Sequence, residues 1–436
     1  ECPLLAHILY SRGVTMKIII RIVLAGLALS GPVQASEIGP DVFKARRDAL
    51  MESLGGGVAV LYGSSGAASI VRSGFVQESN FYYLTGISEP GAVLVLAPGE
   101  VRYKEVLYLQ PRNPEVEDWD GRREPLGDAL EEATGFDEIA RTTALPSQLT
   151  RMLQRSKKAV FLGPVVSANA DIPPALKLMR DAQARVPGST LENMAELIPE
   201  MRRIKTEAEI AQIQKAVDIT GKGIVAAMKA VEPGMQEFQL QSVVEHEYEM
   251  AGAQFLGFST ILAAGPNATV LHYGTNDAPI AEDGLVLIDT GAAWQHYTAD
   301  VSRTFPVNGK FSPREKELYE LVLKAADAAI ENVRVGADHH DDLQQVARGV
   351  LEEAGYAEYF IHGIGHFVGL DVHDAGDYAL PLEEGVVLTI EPGIYIPEEG
   401  IGIRIEDVVL VTRDGPVVLS RHIPRTVQEI EDAMRQ

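Results

Sequence analysis

The chain holds a single cysteine in 436 residues, Cys2. One thiol excludes an intrachain disulfide framework, and since Cys2 lies upstream of a leader-like segment at 16–35, the mature chain is expected to hold no thiolate metal site and no cysteine nucleophile. Basic residues are also in short supply. Thirty-eight Lys and Arg stand against 62 Asp and Glu, for a formal charge of −24. A surface of that sign repels phosphate backbones and anionic lipid, so neither nucleic acid nor a membrane surface is expected as a partner. No apolar run approaches the ~20 residues that a membrane-spanning helix needs. Internal repeats and low-complexity segments are absent too. What remains, 46% hydrophobic and 23% charged, is the composition of a globular protein long enough for two or three domains.

The amino terminus has the layout of a secretory signal. Met16 opens MKIIIRIVLAGLALSGPVQA, in which Lys17 and Arg21 form a positive region and Ile22 to Leu29 a short apolar core. Pro32 then breaks the helix, and Val33-Gln34-Ala35 fits a small-residue cleavage site. Residues 1–15 precede the start methionine and read as upstream sequence. Cleavage would release an exported chain, periplasmic or secreted, without cysteine and free of the membrane. Residues 1–35 carry Glu1 against Arg12, Lys17 and Arg21, so the charge of the remainder is near −26.

From residue 36 two domains are expected. Residues 36–197 read as an α/β domain, with strand-length apolar runs at 57–62, 92–96, 105–109 and 158–162. These alternate with helical segments such as 41–54 and 145–155. Pro187-Gly188-Ser189 is a turn cluster close to the boundary. Residues 198–436 read as an α+β domain. Thr206 and Glu209 form a capping box, as do Ser312 and Glu315 with a first-turn proline between them. Further helices are expected at 236–251 and 341–353, and strands at 258–263, 284–289, 297–305, 386–391, 401–411 and 416–420.

The candidate chemistry lies in the second domain. The apolar run 285–288 ends in Asp289, and Asp300 follows eleven residues later in the next expected strand. His362-Gly363-Ile364-Gly365-His366 is a glycine-lined loop with two histidines, followed by Asp371-Val372-His373-Asp374. Glu391 ends an apolar run, Glu406 lies beside Arg404, and His272 stands upstream. Each has a bland reading: Asp300 paired with Arg303, Glu406 with Arg404, His366 in a loop hydrogen bond, Glu391 in a turn. His339-His340-Asp341-Asp342 reads as a solvated helix start. His246-Glu247 lacks the second histidine of a zinc-protease helix, because position 250 is Met250. Taken together, though, two Asp, two Glu and one His make an oxygen-rich donor set. That set suits Mn²⁺, Co²⁺ or Zn²⁺ better than copper. Four carboxylates within a few ångströms repel by about 4 kcal/mol per close pair at an effective dielectric near 20, so cations or protons must compensate them.

In order and context, Asp289, Asp300, His366, Glu391 and Glu406 resemble the metal ligands of the pita-bread metallopeptidases. That family includes methionine aminopeptidase, prolidase and aminopeptidase P. HYGTNDAPIAEDGLVLIDTG, DVSRTFPVNGKFS, HGIGHFVGLDVHD and GIGIRIEDVVLV look like its proline-specific branch, and ESNFYYLTGISEPGAVLVLA looks like that branch's amino-terminal domain. The resemblance implies two divalent metal ions, with Mn²⁺ ahead of Co²⁺ or Zn²⁺, and an acidified water as nucleophile. Asp289 would chelate one metal, Asp300 and Glu406 would bridge both, and His366 and Glu391 would complete the other shell. Glu391 would carry the proton, His272 and His373 would hold the substrate, and Arg404 and Tyr395 would orient the ligands. The implied substrates are small peptides with an Xaa-Pro amino terminus, and the implied assembly is a homo-oligomer. Xaa-Pro aminopeptidase is the first expectation, because export fits it better than it fits Xaa-Pro dipeptidase. A non-catalytic binding module is disfavoured by the complete ligand set. Two departures stand out. Phe258 occupies a position where the branch often has a tyrosine bonded to the bridging aspartate. The stretch between Glu391 and Glu406 is short for aminopeptidase P.

Overall fold

In the amino-terminal half, six strands form one mixed sheet. Their spatial order is Ile139–Arg141, Glu105–Leu109, Val93–Leu96, Val58–Tyr62, Lys158–Phe161 and Thr190–Asn193. The computed structural model describes residues 38–65, 75–120 and 122–435; the leader-like segment and its cleavage site lie outside them. The three central strands pair antiparallel, and the outer strands join in parallel. Four of these strands fall where periodicity places them. The two edge strands escape that signal, Ile139–Arg141 because it is only three residues long and Thr190–Asn193 because it is polar and mostly exposed. Helices Leu145–Ser156 and Pro174–Gln183 cover one face through Leu149, Leu153 and Met179.

The other face belongs to the core of the second half. Leu50, Phe81, Leu94 and Leu107 pack in one apolar cluster that also contains Ile213, Ile288, Leu388 and Ile403. Polar ties cross the same border. Buried Arg46 reaches across to Glu209 Oε1 at 3.0 Å, and Tyr297 donates to that same oxygen at 2.9 Å from within the second half. Burying such charges is tolerable only because each finds its partner. Among the described residues, no helix is long and apolar enough to cross a membrane.

In the second half, helix Glu207–Ala230 starts on the Thr206–Glu209 capping box and Pro313–Asn332 on the Ser312–Glu315 box. Three short sheets build the layer that carries the candidate residues. The first is Ile261–Ala264, Leu285–Thr290 and Val301–Pro306; the second is Val387–Ile390, Asp407–Thr412 and Gly415–Val418. The third, Phe255–Leu256, Ala292–Trp294 and Tyr297–Thr298, flanks them, and Gly393–Ile396 forms a hairpin with Ile401–Arg404. Three expected strands come out shorter or divided, and the 401–411 strand breaks at 405–406, between Ile401–Arg404 and Asp407–Thr412, which join different sheets. The 297–305 strand is split at Ala299–Asp300, where a Cβ on Gly291 would lie 1.7 Å from the Ala299 carbonyl oxygen. The 258–263 strand begins only at Ile261, and just before it the Thr260 hydroxyl meets that of Thr290 at 3.2 Å.

Candidate metal centre

Leu285–Thr290 and Val301–Pro306 run antiparallel with Asp289 opposite Ser302. Opposed residues share a face and successive residues alternate, which decides the environment of each charge here. Ser302 donates to Glu406 Oε2 at 2.8 Å and accepts from Arg404 Nε at 2.9 Å. Arg303, one residue on, points the other way and donates to Asp407 at 2.8 Å. Glu406 and Asp407 divide in the same manner, one toward the site and one into a buried ion pair. The two bland ion pairings of the sequence, Asp300 with Arg303 and Glu406 with Arg404, therefore do not form, whereas His366 does make loop hydrogen bonds. Arg303 serves Asp407 and not Asp300, and Glu406 is buried while Arg404 Nη2 donates to Asp289 Oδ2 at 2.6 Å.

The histidine loop lies along Val387–Ile390. His366 N donates to Thr389 Oγ1 at 3.0 Å, Thr389 N to His366 O at 2.8 Å, and Glu391 N to Ile364 O at 2.8 Å. Gly365 permits this approach: a Cβ there would sit 2.0 Å from the Thr389 carbonyl oxygen. His366 Nδ1 bonds the Phe367 carbonyl at 3.1 Å, which makes Nδ1 the donor and leaves the Nε2 lone pair free. That lone pair faces Asp300 Oδ2 at 3.3 Å and Glu391 Oε1 at 3.6 Å. One ligand atom each from Asp300, His366 and Glu406 lies within 4.8 Å of the others.

Three carboxylate oxygens of this cluster, Asp289 Oδ1, Asp300 Oδ1 and Glu406 Oε1, are buried with no hydrogen-bond partner. Such atoms are costly unless something positive meets them. Burial pushes Asp300 well above the usual carboxylate range, helped by Glu406, Asp289 and Glu391. Burial does the same to Glu406, aided by Glu391 and Asp289. Burial takes Glu391 up to about 7, with Arg404 opposing and Asp289 adding to the rise. His366 moves the other way, down to about 4, through burial and then the nearby His373. A neutral imidazole nitrogen thus faces carboxyls that ionise together only if cations are supplied. The donor set is oxygen-rich with one nitrogen, and it fits divalent metal ions.

The cluster opens into a cavity of about 700 Å³. His272 and His373 line it, both exposed at its mouth, and the His373 ring stacks on His366 at 3.8 Å. Phe258 lines it as well, half-buried. Of the residues singled out from the sequence, His272, Asp289, Asp300, His366, His373, Glu391, Arg404 and Glu406 border this one space, and Tyr395 is buried behind Arg404.

Two more histidines border the cavity, His362 and His339, to which the sequence reading gave no role in the site. Arg404 Nη1 donates to Tyr395 Oη at 2.9 Å, and Tyr395 bonds His362 Nε2 at 2.8 Å. His362 Nδ1 in turn bonds the Gly363 carbonyl at 2.8 Å. Burial, then Arg404, pushes His362 down to about 4, so it is neutral. Its place four residues before His366 on the same glycine loop was a usable signal. His339 gave none. The helix expected at 341 begins instead with a π-helical turn, His339–Gln344, capped by Asp338. That turn directs His339 inward, to the Gly365 carbonyl at 3.1 Å, while His340 and Asp341 stay in solvent.

Residues 211–413 match the sequence model of Metallopeptidase family M24, and residues 43–161 match that of Aminopeptidase P, N-terminal domain. An Xaa-Pro aminopeptidase of Haemophilus influenzae is 37% identical over 394 residues, 83% of this chain and 88% of the relative. The chain belongs to the aminopeptidase P family. It is a metallopeptidase of pita-bread fold, with an aminopeptidase P amino-terminal domain before the M24 catalytic domain. A zinc-substituted Escherichia coli aminopeptidase P, solved in complex with product, superposes with a TM-score of 0.81 at 32% identity, covering 92% of this chain and 99% of that one. An Xaa-Pro dipeptidase of Pyrococcus horikoshii is 41% identical, but over 239 residues, 54% of this chain and 66% of the relative.

Proposed function

We propose that this chain is an exported Xaa-Pro aminopeptidase, removing the first residue from peptides with proline second. The observation that carries the reading is the buried carboxylate–histidine cluster with three unpartnered oxygens at the floor of the cavity. Asp289, Asp300, His366, Glu391 and Glu406 would hold two divalent cations, Mn²⁺ by the hardness of the donor set, which supply Lewis acidity and an acidified water. Glu391, half-buried and held near neutrality in its protonation, is suited to take a proton at its carboxylate and return it to the departing amine. Arg404 holds Asp289 and, through Tyr395, the neutral His362. His272 and His373 stand where they can bind the substrate backbone and steady charge on the scissile carbonyl oxygen. The acidic surround suits a free amino terminus. The lysine-led apolar segment 16–35 supports export.

The second reading is an Xaa-Pro dipeptidase, which the dipeptidase likeness favours. That likeness leaves nearly half of this chain unmatched, whereas the aminopeptidase alignment covers 83% of it. Mn²⁺-loaded enzyme offered an Xaa-Pro-Xaa tripeptide and an Xaa-Pro dipeptide separates the two. Preferential tripeptide cleavage supports aminopeptidase, the reverse preference supports dipeptidase, and inertness toward both rejects both.

A further inference from the structure

His373 is exposed, and among the described residues its ring makes no hydrogen bond; it stacks on the His366 ring. Its place in the cavity is therefore set by its backbone. Two carboxylates bracket it in sequence, Asp371 and Asp374, and one guanidinium holds both. Arg202, on helix Leu197–Arg203, donates through Nη2 to Asp371 Oδ2 at 2.7 Å and also to Asp374 Oδ1. Lys205 adds a contact to Asp374 Oδ2 at 2.9 Å. From the amino-terminal domain, Ser79 Oγ donates to Asp371 Oδ1 at 2.6 Å, and Asn80 Oδ1 accepts from Arg202 Nη1 at 2.7 Å. The Asp371 amide completes the bracket with a 3.3 Å bond to Asp374 Oδ1.

We infer that Asp371, gripped by Ser79 and Arg202, is a positioning residue that fixes His373 for catalysis, so that the amino-terminal domain acts on turnover through this clamp. The inference rests on the proposed function and names a positioning residue of that same site. A cavity of about 450 Å³ lies beside the clamp, lined by Ser79, Asp371, Val372 and His373, and it gives the loop room to move once released. Asp371 is itself half exposed, with 49% of its side chain accessible, so it adds little core stability. Its removal is expected to loosen one loop and leave the fold intact.

The test is a double-mutant cycle on the metal-loaded full chain with an Xaa-Pro-Xaa peptide, reading kcat, KM and bound metal. Asp371→Asn keeps the volume and an acceptor for Ser79 but loses the charge that meets Arg202. It is expected to lower kcat by about 10- to 30-fold, the scale of a small misplacement, with KM within about twofold and metal content unchanged. Ser79→Ala, which removes only a hydroxyl, is expected to lower kcat by about 2- to 5-fold, and it carries the same cycle if Asp371→Asn folds poorly. In a His373→Ala background both changes are expected to cost less than about twofold, because the residue they position is gone. Undiminished losses in that background, or wild-type kcat in both single variants, overturn the inference. A wild-type chain that cleaves no Xaa-Pro peptide overturns the functional reading beneath it.

Discussion

Stripping the metal should expose the cost of gathering Asp289, Asp300, Glu391 and Glu406, and pH should tune that cost. A ligand bound only by the folded state at about 1,000 times its dissociation constant adds about 4 kcal/mol. Unfolding entropy of about 2.1 cal/mol/K per residue gives about 0.8 kcal/mol/K for a chain of ~400 residues, so the expected loss on chelation is about 5 °C in Tm. The sign of the pH dependence follows from two opposed sets of groups. His296, His362 and His366 are pushed down to about 4, so the unfolded chain binds more protons than the folded one below about 6.5, and stability falls on acidification there. Asp300, Glu391 and Glu406 are pushed up, so the folded chain holds protons that the unfolded chain has lost, and stability falls as pH rises. Above pH ~6.5 only the second set still titrates. Each carboxyl that stays protonated costs at most about 2 kcal/mol between pH 6.5 and 8.0, or roughly 2–3 °C. Chelated protein should therefore melt progressively lower across that window. Mn²⁺-loaded protein, whose ligands bind better as they deprotonate, should not follow it. Scanning calorimetry of both forms at pH 6.5, 7.2 and 8.0 makes the comparison. Identical melting with and without chelator, or chelated protein gaining stability toward pH 8.0, refutes the cluster as a metal site.

Glu391→Ala removes a ligand and a proton carrier together, and is expected to abolish turnover and reduce bound metal. His373→Ala is expected to cut turnover with metal content near wild type; elemental analysis showing equal metal loss in both variants would contradict the assigned roles. Arg404→Gln leaves Asp289 buried beside an uncharged neighbour, for a loss of about 3–5 kcal/mol and roughly 4–6 °C. A Tm within 1 °C of wild type, on a ~1 kcal/mol scale, would show that the pair carries no such weight. Gly365→Ala sets a Cβ 2.0 Å from the Thr389 carbonyl oxygen, and should displace the histidine loop and weaken metal binding more than it lowers Tm. Normal metal affinity in that variant would mean the loop tolerates the shift.

Much of this site is legible in the sequence because its parts follow local rules. Asp289 and Glu391 end apolar strand runs, and Thr206, Ser312 and their reciprocal glutamates announce helices that begin there. What is hidden depends on faces and reach. Arg404 and Glu406 are neighbours in sequence, yet the guanidinium extends across to Asp289 on another strand, which no spacing rule anticipates. His339 looks solvated beside Asp341 and Asp342 until a π-helical turn rotates it inward. The edge strand Thr190–Asn193 is polar and mostly exposed, so it is defined by its hydrogen bonds to Lys158–Phe161 and by no apolar pattern. The Arg202–Asp371 clamp joins residues 169 positions apart, which only the folded chain brings together.

The most direct test is to follow release of the amino-terminal residue from a matched pair of tripeptides, Xaa-Pro-Xaa and Xaa-Ala-Xaa, by Mn²⁺-loaded and chelated enzyme. A proline-dependent metallopeptidase acting through this cluster releases the first residue from the proline peptide alone, and only when loaded. Equal cleavage of both peptides, or cleavage that survives chelation, would contradict it.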